Sequence, residues 1–281
     1  MEKTDKKQRE QWGSRVGFIL AAAGSAIGLG NIWRFPYLTG KNGGGAFILI
    51  YLVFVVGICL NVMIAEFAMG RRTKLAAAGA YKKFGKNWTF AGALGVLSAF
   101  LIMGFYPVVG GWSLAYVFKS VTGLLSSSAI GDAFGGFIGG TFEPIVWMLI
   151  YLALNVAIVV KGVASGIEKA SKVLMPTLFV LLLLIIIRSV TLPGSGAGLE
   201  FLLKPDFSKV TGSTFLDALG QAFFSLSLGM GVMITYGSYL SEDENIPKNA
   251  LIVTMMDTGC AILAGLALFP ALFAFGMEPA Q

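Results

Sequence analysis

The sequence predicts an all-α polytopic membrane protein, and three observations lead there. Of its 281 residues, 56% are hydrophobic and only 13% are charged, about half the charge of an ordinary soluble domain. The hydrophobic residues come in long runs, such as Leu174 to Ile187, where only Pro176 and Thr177 interrupt. A helix needs about 20 such residues to cross a hydrocarbon core roughly 30 Å thick. The bases, finally, gather in alternate connecting loops rather than on one face.

Run length and breaker residues place seven spans, at about 16–38, 44–69, 89–118, 143–160, 172–190, 213–240 and 249–275. They form a single transmembrane domain over residues 1–281. The third is long enough to tilt or to project from the bilayer. Lys3, Lys6, Lys7 and Arg9 precede the first span. Arg71, Arg72, Lys74, Lys82, Lys83 and Lys86 follow the second, and Lys161, Lys169 and Lys172 follow the fourth. Cytoplasmic loops retain lysine and arginine, so the N-terminus of this multi-pass protein is expected inside. The opening MEKTDKKQRE is too polar for a signal peptide. Cys59 and Cys260 fall within apolar runs and read as small core residues. With no histidine in the chain, a histidine metal site or proton relay is excluded. No nucleophile–base pair is evident, so the chain does not read as an enzyme. The basic balance of +6 sits in short loops and does not indicate nucleic acid.

Polar features inside the spans carry the functional reading. Arg34, Glu66, Asp217 and Asp257 stand within or at the edge of apolar runs. A central charge there costs at least about 2.5 kcal/mol and usually faces a cavity or a partner. The first span contains GSAIGLGNIWRFP, Gly24 to Pro36, in which Gly24, Gly28 and Gly30 weaken the helix. One reading is close helix packing through Gly24-xxx-Gly28. The other is an unwound segment whose freed carbonyls, with the Asn31 amide oxygen, face a small cation, and whose freed amides face a carboxylate. The sixth span contains QAFFSLSLGMGVMITYGSY, Gln221 to Tyr239, with Ser225, Ser227, Gly229 and Gly231. Read alone it is a serine-lined packing face. Paired with the first, it marks two broken helices five spans apart, the pattern of a transporter site between structural repeats. Such a site suits sodium and a zwitterionic amino acid together.

At these residues the chain resembles the neurotransmitter:sodium symporter family, whose bacterial members carry amino acids. The resemblance rests on Arg9-x-x-Trp12, GSAIGLGNIWRFPYLTGKNGGGAF (Gly24 to Phe47), AEFAMGRR around Glu66, FYPVVGGW around Tyr106, GIEKASKVLMP after the fourth span and QAFFSLSLGMG in the sixth. It covers essentially the whole chain from Arg9 onward.

The resemblance implies an inverted-repeat (5+5) amino-acid transporter fold, cut after its seventh helix. The first repeat would run over about 12–190 and the incomplete second over about 213–275. It implies sodium-coupled symport of a small amino acid by alternating access. One sodium would be held by the Ala26 carbonyl, Asn31, Ser225, Asp257 and the substrate carboxylate. A second would take the carbonyls of Gly24 and Ile27, with further ligands from an eighth helix. The substrate carboxylate would meet amides near Leu29 and Gly30 and the Tyr106 hydroxyl. Its amine would meet carbonyls near Ser25, Phe224 and Ser227. Phe224 and Tyr106 would close as a lid, with Arg34 as outer gate and Arg9 with Trp12 as inner gate. Many animal members need chloride and have asparagine where Asp257 stands and serine where Ala261 stands, so no chloride requirement is expected here. Gly28, where monoamine carriers have aspartate, leaves room for a ligand with its own carboxylate. Met230 and Gly104 imply a roomy apolar pocket, hence a hydrophobic or aromatic substrate. Because the eighth and tenth helices lie beyond residue 281, a truncated, non-transporting fragment is the alternative reading.

Overall fold

The computed structural model describes residues 10–123 and 130–279. Ser14 caps the first helix by accepting from the Gly17 amide at 3.0 Å. Helix α1 (Arg15–Ala26) then stops, because Ile27 is extended at φ −72°, ψ 114°. A widened turn, Gly30–Arg34, leads into α2 (Phe35–Lys41), with Pro36 in its first turn, where a missing N–H is tolerated. The two halves are bent by 51°. The first span is a broken helix.

Helices α3 (Gly45–Phe54) and α4 (Leu60–Thr73) run as one apolar helix of 29 residues, widened at Val55–Cys59. After the short α5 (Ala77–Phe84), α6 (Thr89–Met103) and α7 (Tyr106–Val121) form most of a 36-residue helix, Lys86–Val121. At about 1.5 Å per residue it exceeds the bilayer core. Its irregularity at Gly104 and Phe105 precedes Pro107, which has no amide to donate. Next come α8 (Ile130–Gly139), α9 (Phe142–Val159), α10 (Lys169–Val190) and α11 (Ser195–Leu203). The last three helices are α12 (Gly212–Ser225), α13 (Val232–Gly237) and α14 (Ile246–Ala274).

Among the described residues, five helices are long and apolar enough to cross a membrane, and the bent first pair makes a sixth. The expected span 213–240 is present as α12 and α13, of 14 and 6 residues. Ser227 at φ +54°, with Gly229 and Gly231 at φ +77°, stands between them outside the right-handed helix. These two pieces, α12 and α13, are not among the six, so the expected span 213–240 has no unbroken counterpart among the described residues. Three segments read as plain connections hold short helices instead: α5, α8 and α11.

Helix α14 runs through the middle, packing on α1, α2, α4, α10 and α11. The core is aromatic, with Phe35 against Tyr51 at 5.1 Å and Phe18 against Phe67 at 5.2 Å between ring centroids. Outward faces are apolar as well: Leu149 and Leu154 of α9 and Leu181 and Leu184 of α10 are exposed. The polar residues Asn31, Gln221, Ser225 and Asp257 are fully buried. Apolar outside and polar inside is the distribution hydrocarbon solvent demands.

Close backbone approach holds α4 to α13. A Cβ at Gly70 would fall onto the Ile234 carbonyl and 2.8 Å from the Ser238 amide. Gly70→Val is therefore expected to cost about 1–3 kcal/mol or more, read as a lowered melting temperature in detergent. Gly57→Ala, whose Cβ meets nothing within 4 Å, serves as control. Equal melting temperatures for the two variants would contradict this packing.

Candidate functional site

The site begins where the first helix loses its hydrogen-bond ladder. The Gly28 amide turns to Asn31 Oδ1 at 3.0 Å, the Leu29 amide to the Tyr106 hydroxyl at 3.3 Å, and the Asn31 amide to the Gly28 carbonyl at 3.1 Å. The carbonyls of Gly24, Ser25 and Ile27 therefore lose the donors that a continuous helix supplies, and no hydrogen bond joins the Gly30 amide to the Ala26 carbonyl. The Ser25 carbonyl accepts from Ser227 Oγ at 3.1 Å instead, which ties the first break to the second. Of the two readings of the glycines, unwinding is present after Ala26. Close packing is present too, since a Cβ at Gly28 would collide with the Tyr106 hydroxyl.

A buried polar cluster stands beside this break. Asn31 Nδ2 lies 2.8 Å from Asp257 Oδ1, 3.0 Å from the Asp257 carbonyl and 3.0 Å from Ser225 Oγ. Ser225 Oγ donates to Asp257 Oδ2 at 2.9 Å. Three side chains from α14, α12 and the first break thus converge, all fully buried. The amide hydrogens of Asn31 supply positive partial charge to the carboxylate. Rotating that amide by half a turn about Cβ–Cγ would aim Oδ1 at the same place, making a set of hard oxygen donors suited to a small cation.

A cavity of about 580 Å³ opens on the other side of the broken segment. Gly24 to Gly30 form one wall, which includes the expected residues Ser25, Gly28, Leu29 and Gly30. Tyr106, Phe224, Ser227 and Met230 complete the expected set, all lining the same cavity. Gly104 does not line it: that residue sits in the irregular turn before α7, where its Cβ would meet the Leu101 carbonyl at 3.1 Å. The pocket-widening role expected of Gly104 is therefore absent. Apolar wall comes from Ile102, Met103 and Val232, and Ser113 and Tyr151 add hydroxyls. None of these five was singled out in the sequence. They lie on ordinary helical runs with no local signal.

Phe224 also lines a second cavity of about 500 Å³, with Trp33, Arg34 and Tyr37. Its ring therefore partitions the two spaces. The Arg34 guanidinium lies 5.1 Å above that ring and donates to Gln221 Oε1 at 2.9 Å. Gln221 Nε2 donates in turn to the Gly30 carbonyl at 2.8 Å. Gln221 is a functional candidate that sequence reasoning passed over, although a glutamine in an apolar run was a visible signal. Asp217 binds Lys41 at 3.2 Å and Asn42 at 3.1 Å. Glu66 accepts from the Gly229 amide at 2.8 Å and so braces the second break. At the other end, Trp12 Nε1 donates to the Tyr236 carbonyl at 3.1 Å, and its ring packs on Phe18, Tyr236 and Tyr239. Arg9, expected beside Trp12, lies outside the described residues.

Residues 9–134 and 139–278 match the sequence profile described as the Sodium:neurotransmitter symporter family. The chain belongs to that family. It is 46% identical over 274 residues to the sodium-dependent transporter YhdH of Bacillus subtilis, covering 96% of itself and 61% of YhdH. It is 30% identical to the sodium- and chloride-dependent taurine transporter of Bos taurus, covering 94% of itself and 50% of that protein. The crystal structure of MhsT in complex with L-phenylalanine superimposes with a TM-score of 0.92 at 49% identity, over 97% of this chain and 63% of MhsT. The chain thus spans about three fifths of YhdH and MhsT. Its all-helical membrane fold is that of the family, and its relatives are transporters rather than enzymes.

Proposed function

We propose that this chain carries the ion and substrate site of a symporter that moves a hydrophobic or aromatic amino acid with sodium. The observation that carries the reading is adjacency: Gly24–Gly30, which span the break after α1, line the 580 Å³ cavity, and Asn31 of the Asn31–Ser225–Asp257 cluster follows them directly. One sodium would sit among the Ala26 carbonyl, Asn31, Ser225 and Asp257. The substrate carboxylate would reach the same ion and the amides at Leu29 and Gly30, with Tyr106 donating its hydroxyl. The substrate ammonium would face carbonyls near Ser25, Phe224 and Ser227. A second sodium would use the Gly24 and Ile27 carbonyls.

Ile102, Met103, Phe224 and Met230 give the substrate side chain an apolar surround. The phenylalanine named with MhsT supports the same class. Asp257 supplies negative charge at the ion, so chloride is not required. Phe224 under Arg34 would act as the outer closure and Trp12 with Arg9 as the inner one, in a cytoplasmic membrane with the N-terminus inside. Coupling means that sodium strengthens amino-acid binding by a factor equal to that by which the amino acid strengthens sodium binding.

The test is uptake of radiolabelled phenylalanine into vesicles holding the protein. Replacing sodium by potassium is expected to slow uptake at least about tenfold, within the usual range of coupling, while replacing chloride by gluconate leaves it unchanged. Equal rates in sodium and potassium would contradict the proposal.

A further inference from the structure

Helix α5 lies in the connection between two membrane-crossing helices, the one ending at Thr73 and the one beginning at Lys86. So short a connection holds it at the depth of lipid headgroups. Its inner face, Ala77 and Ala80, is buried against Ile234, with Leu75 and Tyr81 beside them. Its outer face presents Lys82 and Lys83, followed by Lys86, with Arg72 just upstream. All four are exposed. None forms an ion pair among the described residues. Of the acids on this side, Glu242 meets Lys74 at 3.6 Å and Glu244 meets Arg15 at 3.7 Å, and Asp243 pairs with none of the four bases. At the opposite membrane surface, three bases are matched by acids. Lys41, Lys119 and Lys204 each meet a carboxylate, at 3.2, 2.9 and 2.9 Å.

Aromatic side chains interleave with the free bases. Phe84, Trp88 and Phe90 are 51%, 58% and 62% exposed. An amphipathic body with exposed aromatics and lysines, fixed at interface depth, is the chemistry that settles among headgroups. We propose that α5 and the turn after it bind the headgroup of an anionic phospholipid in the leaflet this loop faces. The lysines contact phosphate oxygens, and Phe84 and Trp88 lie along the upper acyl chains. A soluble acidic protein would match the charge but not the flanking aromatics. Lipid anchoring here would hold α5 against α13, next to the second helix break.

The experiment is native mass spectrometry of the detergent-purified protein with equal amounts of phosphatidylglycerol and phosphatidylcholine added. Phosphatidylglycerol is expected to be retained about fivefold over phosphatidylcholine, as roughly one interfacial base contact would give. In K82Q/K83Q/K86Q the ratio is expected to fall close to unity, whereas K41Q/K204Q, on the opposite surface, keeps it. Because all three lysines are exposed, the triple variant is expected to keep its melting temperature. A preference that survives in the triple variant, or that is absent from the unmodified protein, overturns the proposal. So does loss of the preference on adding inorganic phosphate, when chloride at the same ionic strength has no such effect. That result would assign the site to free phosphate.

Discussion

Replacing Asp257 by alanine is expected to raise the sodium concentration for half-maximal phenylalanine binding by about 30–100-fold, or about 2–3 kcal/mol. A carboxylate charge about 3 Å from a cation contributes roughly 5 kcal/mol at an effective dielectric near 20, before desolvation is subtracted. Asp257 is fully buried and makes hydrogen bonds with Asn31 and Ser225. Its loss would also leave the Ser225 hydroxyl without its acceptor, while Asn31 keeps the backbone carbonyl of residue 257, so some destabilisation accompanies the change. Asp257→Asn separates the two effects, because it keeps the shape and removes the charge. Weakened sodium dependence in the asparagine variant, at a near-normal melting temperature, identifies charge as the cause. Unchanged half-saturation in both variants would remove Asp257 from the ion site.

Gly28→Val is expected to reduce phenylalanine binding by tens-fold or more without abolishing the fold. The added side chain would collide with the Tyr106 hydroxyl, which bonds the Leu29 amide at 3.3 Å. Forcing methyl groups into such a contact costs about 1–3 kcal/mol, and it falls where the substrate carboxylate is proposed to sit. Gly104→Ala is the comparison, since Gly104 does not line the cavity. Equilibrium binding of tritiated phenylalanine measures both. Equal affinities would contradict the proposed carboxylate position.

The first break was legible only through its pairing with the second, because three glycines within seven residues also suit close helix packing and Asn31 beside them was only a polar hint. The second break was legible from Gly229 and Gly231, although Ser227 at φ +54° was not, since serine rarely adopts that conformation. The membrane class followed from run length, whereas placing the spans also needed the breaker residues. What stayed hidden depends on tertiary approach. Tyr151 reaches the cavity only because Gly110 lets its ring come close, with a Cβ there 2.6 Å from the ring. Glu66 read as an intramembrane charge, but its bond to the Gly229 amide is set by the contact of α4 with α13. Helices α5, α8 and α11 were invisible because they are short and their stability comes from docking rather than propensity. Gly104 went wrong for a related reason: a position in a run gives no side-chain direction when the helix is irregular two residues before a proline.

The most direct test is to locate the ion itself. Crystals of the protein grown with thallium(I) in place of sodium are expected to show an anomalous peak among Asn31, Ser225 and Asp257, with the Asn31 amide oxygen turned toward it. Anomalous density only at other places, or Asn31 Nδ2 still bound to Asp257 while thallium supports amino-acid binding, would contradict the account.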